Sequence, residues 1–227
     1  MWTIGYREFR DLFKGVRPYF LIAVLTATAY LIAQGAELIP EGFEGLSTNA
    51  PYAAGLSASI LSFGLLFVLT LSHNSVNKEV ESSTIRFLVT KASRGDIIMG
   101  KLFGILAYWF ILLLITTLII SYFSERFFFT AFLEFLIFIF YCISLTLFLS
   151  VVIRSSSLSM FLGIILAFTI PVLSVWAVLS ENIYINWFKF FTPYYYFQFD
   201  FIYMAIPFLI GLLLLALSTK IFQGRDF

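Results

Sequence analysis

The sequence predicts an all-α integral membrane protein with six transmembrane helices, an amphipathic N-terminal helix and a short helix between the second and third spans. Three observations predict this fold. Of the 227 residues, 61% are hydrophobic and only 12% are charged, so a water-soluble domain of this size could not bury its apolar surface. Six long stretches carry no charged residue, and about 20 apolar residues in a helix suffice to cross a bilayer. The third observation is that the lysines and arginines between these stretches fall almost entirely in loops on one side of the membrane.

This sorting predicts the orientation in the membrane. If both termini lie in the cytoplasm, every lysine and arginine falls on the cytoplasmic side except Arg126 and Lys189. Cytoplasmic loops of membrane proteins carry an excess of basic residues, so we expect this orientation. We therefore predict one transmembrane domain over residues 1–227, with spans at 18–36, 52–74, 102–123, 131–153, 158–180 and 202–219.

Residues 1–17 predict a helix that lies in the membrane interface. Its aromatic residues recur at steps of three and four, so they share one face, and its basic residues share a neighbouring face. A basic amphipathic helix of this kind lies along the membrane with its aromatic side down. The aromatic positions are Trp2, Tyr6, Phe9 and Phe13. Pro18 then ends this helix and begins the first span.

The second span begins with small residues at four-residue spacing, which lets helices approach closely in lipid. These residues are Ala54, Gly55, Ala58, Ser59 and Ser62. Two interpretations remain open: ordinary helix packing, or a face that borders a cavity or a moving interface between helices.

The loop at 75–101 is the most polar part of the chain, and its pattern predicts two helices separated by a break. Apolar residues at i, i+3, i+4 and i+7 indicate a short helix with one apolar face; they are Ile85, Leu88, Val89 and Ala92. Ser93 followed by Asp96 resembles a capping box and predicts the start of the third span.

The second half of the chain offers fewer polar features. Glu134 lies near the outer end of the fourth span, either as an interfacial residue or as part of an outer vestibule. Pro171 is expected to free a backbone carbonyl within the fifth span and can kink it. Residues 181–201 are rich in Phe, Tyr and Trp, which predicts an extracytoplasmic helix or re-entrant hairpin that dips into the outer leaflet.

Motifs for catalysis and metal binding are absent from the sequence. It has one cysteine, Cys142, and one histidine, His73, and neither Gly-x-Ser-x-Gly nor His-Glu-x-x-His occurs. The stretch 95–101 matches the start of a phosphate-binding loop, but Leu102 replaces the hydroxyl residue that would hold magnesium. We therefore expect no catalytic residue, no metal site and no cofactor bound by this chain.

The cytoplasmic loop resembles that of ABC-2 type transporter permeases. That family shows an acidic pair, a threonine, a Ser-Arg step and a closing Gly-Lys, which match Glu79, Glu81, Thr84, Ser93-Arg94 and Gly100-Lys101. The tail at 222–227 resembles the family's Phe-x-x-Arg-Asp ending.

This resemblance implies an ABC-2 or ABCG-like exporter fold, in which the loop helix is a coupling helix that seats in a separate ATPase subunit. ATP and magnesium would then bind to the ATPase chain. The residues implied in coupling are Glu79, Glu81, Thr84, Ile85, Arg86, Leu88, Val89, Lys91 and Arg94. The second and fifth spans would line the route between two permease copies, so the small face of span two and Pro171 are candidate pathway residues.

We therefore predict the permease subunit of an ATP-driven exporter in a bacterial cell membrane, with two ABC ATPase subunits and a second copy of this permease or a related permease as partners. The substrate stays open among amphipathic peptides, drugs, lipid-linked molecules and ions. A non-transporting membrane binding or immunity protein is one alternative. An intramembrane enzyme is another, and would require His73, Glu134 or Asp200.

Overall fold

The computed structural model describes residues 1–14, 16–37, 51–73, 75–81, 90–153, 155–180 and 182–224. Within these ranges the chain forms helices joined by short connections, and no strand occurs in them. The helices are α1 (Trp2–Phe13), α2 (Arg17–Glu37), α3 (Pro51–Ser72), α4 (Asn77–Glu81), α5 (Arg94–Ser124), α6 (Phe129–Val152), α7 (Ser156–Leu179), α8 (Ile183–Asn186) and α9 (Ala205–Gln223). Three short 3₁₀ helices follow α8, at Trp187–Phe191, Pro193–Gln198 and Phe201–Met204.

The described residues contain five helices that are long and apolar enough to cross a membrane, and up to six if α1 and α2 count as one bent span. The angle between α1 and α2 is 65°. The prediction of an all-α membrane fold is confirmed. The fifth predicted span is helical from Ser156 to Leu179 and continues through Pro171.

The third predicted span starts earlier than its apolar run suggests. Helix α5 begins at Arg94, about two turns before position 102. Ser93 is its N-cap, and the Ser93 hydroxyl accepts a hydrogen bond from the Asp96 amide at 3.1 Å, as the sequence predicts. The stretch 95–101 is therefore helical and forms no phosphate-binding loop.

Helix α6 lies at the centre of the bundle. In its most apolar window 67% of the residues are buried, against 28% for α7 and for the span that contains α9. It packs against α3, α5 and α9, and its side chains Phe138, Ile139 and Ile143 have no exposed surface. The outer helices therefore present most of their apolar side chains outward, as a membrane protein requires.

Helix α1 packs directly on the first turns of α5 through three glycines. A Cβ atom at Gly104 would lie 2.5 Å from the carbonyl oxygen of Gly5, and one at Gly100 would lie 2.9 Å from that of Met1. Close backbone approach through small residues is the usual way in which helices associate in lipid. Trp2 and Tyr6 remain 77% and 66% exposed, so part of the predicted aromatic face points away from the bundle.

The aromatic segment after α7 turns back along α6. The Tyr141 hydroxyl, near the middle of α6, donates a hydrogen bond to the carbonyl oxygen of Phe191 at 3.1 Å. Tyr194 packs edge-on against Phe138, and Phe197 stacks on Phe135. The segment therefore reaches about half-way along the central helix, and α9 follows it.

Candidate functional site: the charged end of the bundle

The charged end of the bundle is the place where α1, α4 and the first turns of α5 meet. Lys101 of α5 is only 1% exposed, and its Nζ lies 3.1 Å from Glu79 Oε2 and 3.4 Å from Glu8 Oε2. Arg7 of α1 also pairs with Glu79. We call these four residues the ion cluster. It contains two cations and two anions, so the buried charges compensate one another.

The ion cluster also fixes the turn after α3. The Lys101 ammonium donates a hydrogen bond to the carbonyl oxygen of Ser75, which lies between α3 and α4. A buried ammonium has three donors to satisfy; Lys101 donates to Ser75 and Glu8, and Glu79 Oε2 lies beside it as an ion-pair partner. One side chain thus joins the end of α3, α4, α1 and α5.

Hydrogen bonds attach α4 to the other side of the bundle, where α6 and α7 lie. The Ser150 hydroxyl of α6 accepts hydrogen bonds from the amides of Val76 and Asn77 at 3.1 and 3.4 Å. The Asn77 side chain, 1% exposed, also lies 3.0 Å from this hydroxyl. The carboxylate of Glu81 accepts a hydrogen bond from the Ser156 amide, at the start of α7, at 2.6 Å. Helix α4 is therefore a junction between the α1–α5 pair and the α6–α7 pair.

A further contact fixes the start of α5 to the end of α9. The Arg94 guanidinium donates to the carbonyl oxygens of Phe222, at 3.5 Å, and of Gln223. Cations stabilise the C-terminal end of a helix, where carbonyl groups lack intrahelical partners. The contact places the end of α9 beside the start of α5, so both ends of the described chain lie at the charged end.

Several residues predicted to couple to an ATPase lie outside the described residues; they are Thr84, Ile85, Arg86, Leu88 and Val89. Of the other predicted coupling residues, Lys91 is exposed, whereas Glu79 and Arg94 are engaged within the chain. Glu79 therefore has ion-pair partners within this chain, Arg7 and Lys101, as an alternative to the basic residues of a partner that the sequence led us to expect. The described residues on either side of 82–89 are anchored to the ends of membrane-length helices.

The small residues of α3 divide into two faces. Gly55 and Ser59 are buried, and a Cβ atom at Gly55 would lie 2.4 Å from the carbonyl oxygen of Ala29 in α2. Ala58 and Ser62 are exposed, and Ala54 is half-buried. Helix packing thus accounts for Gly55 and Ser59, and the predicted pathway role remains for the outward-facing residues.

The remaining candidate residues lie in different elements of the chain. Glu134 and Pro171 are half-buried in α6 and α7, and Asp200 precedes the last 3₁₀ helix. His73 directly follows α3, and its Nδ1 lies 3.1 Å from the carbonyl oxygen of Thr70. In the part of the chain that the structure describes, no three His, Cys, Asp or Glu side chains are placed to hold a metal ion.

Sequence analysis missed the role of Lys101. Because Lys101 adjoins the uncharged run 102–124, it was interpreted as the end of the loop. The signal was available: a helix that starts at the Ser93 cap places Lys101 about two turns inside α5, where a charge needs a partner.

Comparison with known protein families identifies the chain. No curated protein matches the sequence. A family model described as ABC-2 family transporter protein matches residues 2–198, which cover α1 to the aromatic segment after α7. The chain therefore belongs to the ABC-2 family of membrane transport subunits, and it is a multi-pass membrane protein rather than an enzyme.

Proposed function

We propose that this chain is the permease subunit of an ATP-driven ABC exporter and that a separate ABC ATPase docks at the charged end. One observation carries the proposal. The described residues that flank 82–89 are anchored on both sides, through Glu79 to Lys101 before the segment and through Arg94 to the end of α9 after it. Through these and the neighbouring contacts, a partner that displaces this segment would pull on five helices at once: α1, α5, α6, α7 and α9.

The coupling mechanism follows from these anchors. ATP binding draws two ATPase subunits together, and each presses on the loop that contains the predicted coupling helix. The displacement passes from α4 to α1 and α5 through the ion cluster, and to α6 and α7 through Ser150 and Ser156. ATP can shift the permease between inward- and outward-facing states only if the ATPase contacts differ between them. This chain contributes no covalent chemistry.

We also propose how the chain is oriented in the membrane and how it pairs with a second permease. The charged end faces the cytoplasm of the cell, because the described basic residues of α1, α4, the start of α5 and the end of α9 lie there. Two permease copies, or this chain and a related one, enclose the route, with α3 and α7 on either side of it. The outward-facing apolar side chains of α7, such as Phe168 and Val172, supply the surface for such pairing or for lipid.

The proposal is tested by purifying the chain with its ABC ATPase and measuring the affinity between them. Leu88→Glu places a charge on the predicted apolar face of the coupling helix, and Lys91→Glu reverses an exposed charge beside it. We expect each change to weaken ATPase binding about tenfold or more, the effect of ~1.4 kcal/mol.

Arg126→Glu is the matched control, because Arg126 is an exposed cation in the turn between α5 and α6, at the opposite end of the bundle. It should bind the ATPase as the wild type does. Unchanged affinity in both Leu88→Glu and Lys91→Glu would contradict docking at this loop. If the chain purified without an ATPase and its cellular effect persisted without ATP hydrolysis, a non-transporting membrane binding protein would be the better assignment.

A further inference from the structure

The four side chains of the ion cluster differ in their exposure to solvent in a way that helix packing alone does not require. Lys101 is 1% exposed at its side chain, whereas Glu79 and Glu8 are 12% and 19% exposed and Arg7 is 47% exposed. The charges thus run from the buried centre of the charged end to its surface. A buried ammonium without partners is costly, so the contacts of Lys101 with Glu8 of α1 and Glu79 of α4 hold these two helices against α5.

The two attachments of α4 differ in kind. On the side of α6 and α7, neutral and single-charge hydrogen bonds hold it, through Ser150 and the Ser156 amide. On the side of α1 and α5, ion pairs from Arg7 and Lys101 to Glu79 hold it, together with the hydrogen bond from Lys101 to the carbonyl oxygen of Ser75. Interactions between opposite charges persist over several ångströms in a partly buried site. Ion pairs can therefore follow a moving helix, whereas a hydrogen bond weakens steeply when its geometry changes.

Helix α1 cannot slide on α5 independently. Gly5, Gly100 and Gly104 bring the two backbones into contact, and the Trp2 ring stacks on Phe103 with centroids 6.4 Å apart. Helices α1 and α5 therefore form one rigid unit, and Lys101 is its point of attachment to α4.

We propose that Lys101 is a positioning residue, which transmits displacement of α4 to the rigid α1–α5 unit. This inference rests on the proposed function, since displacement of α4 is the step that the ATPase drives. The ammonium has no direct contact with ATP or substrate in this role. It keeps α4 and α1–α5 moving together while the contacts of α4 with α6 and α7 loosen and re-form.

The test measures movement between the two sides of α4. Spin labels are attached at Tyr6→Cys on α1 and Ser157→Cys on α7, which are exposed positions, in a Cys142→Ser background. The distance between the labels is recorded by double electron–electron resonance in the full permease–ATPase complex, without nucleotide and after trapping with ATP and vanadate. In the wild type the trapped complex should show a shifted distance.

Lys101→Met and Lys101→Gln should each reduce this shift to less than half of the wild-type value while the bound ATPase still hydrolyses ATP. Lys101→Arg, which keeps the charge, should restore most of the shift. Arg10→Gln is the control for loss of a positive charge, because Arg10 is an exposed arginine on α1 that lies outside the ion cluster; it should behave as the wild type does.

The outcomes separate the two proposals. Failure of the wild-type complex to bind an ATPase, or to change the distance on trapping, would overturn the proposed function. A wild-type shift that persists in full in Lys101→Met would overturn only the role of Lys101. If Lys101→Met failed to fold, Lys101→Gln decides, because an amide can still donate to the Ser75 carbonyl oxygen but forms no ion pair with Glu79: a full shift in Lys101→Gln contradicts the inference.

Discussion

At the scale of single residues, Gly104 allows α1 to lie against the backbone of α5. A methyl group at this position would lie 2.5 Å from the Gly5 carbonyl oxygen and 2.8 Å from the Glu8 Cβ atom. Gly104→Ala should therefore push α1 away from α5 and destabilise the protein by about 1 to 3 kcal/mol, the usual cost of overpacking. The measurement is thermal unfolding of the purified chain in detergent.

Gly95→Ala is the matched control for this change. A Cβ atom at Gly95, in the same helix, would meet only the end of the Gln223 side chain, at 3.9 Å. Alanine favours the helix over glycine, so Gly95→Ala should leave stability unchanged or raise it slightly. Equal effects of the two substitutions would show that general helix propensity, and not the α1–α5 contact, determines the result.

Ser150 is the second residue whose substitution tests a contact, because its hydroxyl joins α6 to the start of α4. Ser150→Ala would leave the amides of Val76 and Asn77 without this acceptor in a buried site, and each unsatisfied group costs about 1 to 3 kcal/mol. Ser144→Ala in the same helix removes only a hydroxyl that bonds to the carbonyl oxygen one turn earlier, Phe140, at 2.9 Å. Unfolding in detergent should therefore occur at a clearly lower temperature for Ser150→Ala than for Ser144→Ala; equal transition temperatures would contradict a junction role for Ser150.

At the scale of elements, the hydrogen bond from Tyr141 to Phe191 holds the aromatic segment on α6 together with the ring contacts of Tyr194 and Phe197. Tyr141→Phe keeps the ring and removes the hydroxyl that donates to Phe191. The carbonyl oxygen would then lack this donor at a depth where water is scarce, so segment 187–198 should open more often. Hydrogen exchange of its backbone amides should rise severalfold, whereas Tyr122→Phe, at an 82% exposed position, should leave it unchanged. Exchange rates equal to those of the wild type in Tyr141→Phe would show that ring packing alone holds the segment.

The helices were predictable from sequence because the membrane imposes a simple rule on them. A run without charges that is long enough to cross must be a helix, and each predicted span overlaps a helix of the structure. The Ser93 cap was predictable because capping is local, with its partner three residues away. Helix α1 was predicted, but its packing against α5 was not. Gly100 and Gly104 indicate that another helix can pack closely at these positions, but the sequence does not show which helix it is.

The ion cluster could not be predicted for a related reason. Glu8 and Lys101 are separated by 93 positions, and Arg7 and Glu79 by 72. Charge and hydropathy patterns report which side of the membrane a residue occupies, but they do not report which residues of that side meet. The same holds for Asn77 and Ser150, whose partnership depends on the packing of α4 against α6.

At the scale of the whole molecule, the orientation gives a direct prediction. With Cys142 replaced by serine, Lys91→Cys should react with a membrane-impermeant maleimide only when the cytoplasmic face is accessible, and Arg126→Cys only from the outside. The physical reason is that segments rich in basic residues are retained in the cytoplasm during insertion, and we propose that the charged end is such a region. Intact cells compared with inverted vesicles provide the measurement. Labelling of both positions from one side would exclude an odd number of crossings between them.

The coupling of this membrane domain to an ATPase is the central claim, and site-specific photo-cross-linking tests it most directly. A photoreactive amino acid placed at position 91, beside the loop, or at position 126, at the opposite end, is activated in cells, and the cross-linked protein is identified from its peptides. We predict an adduct with an ABC ATPase from position 91 and none from position 126. Absence of that ATPase from the adducts at position 91, or its equal capture at position 126, would contradict the account.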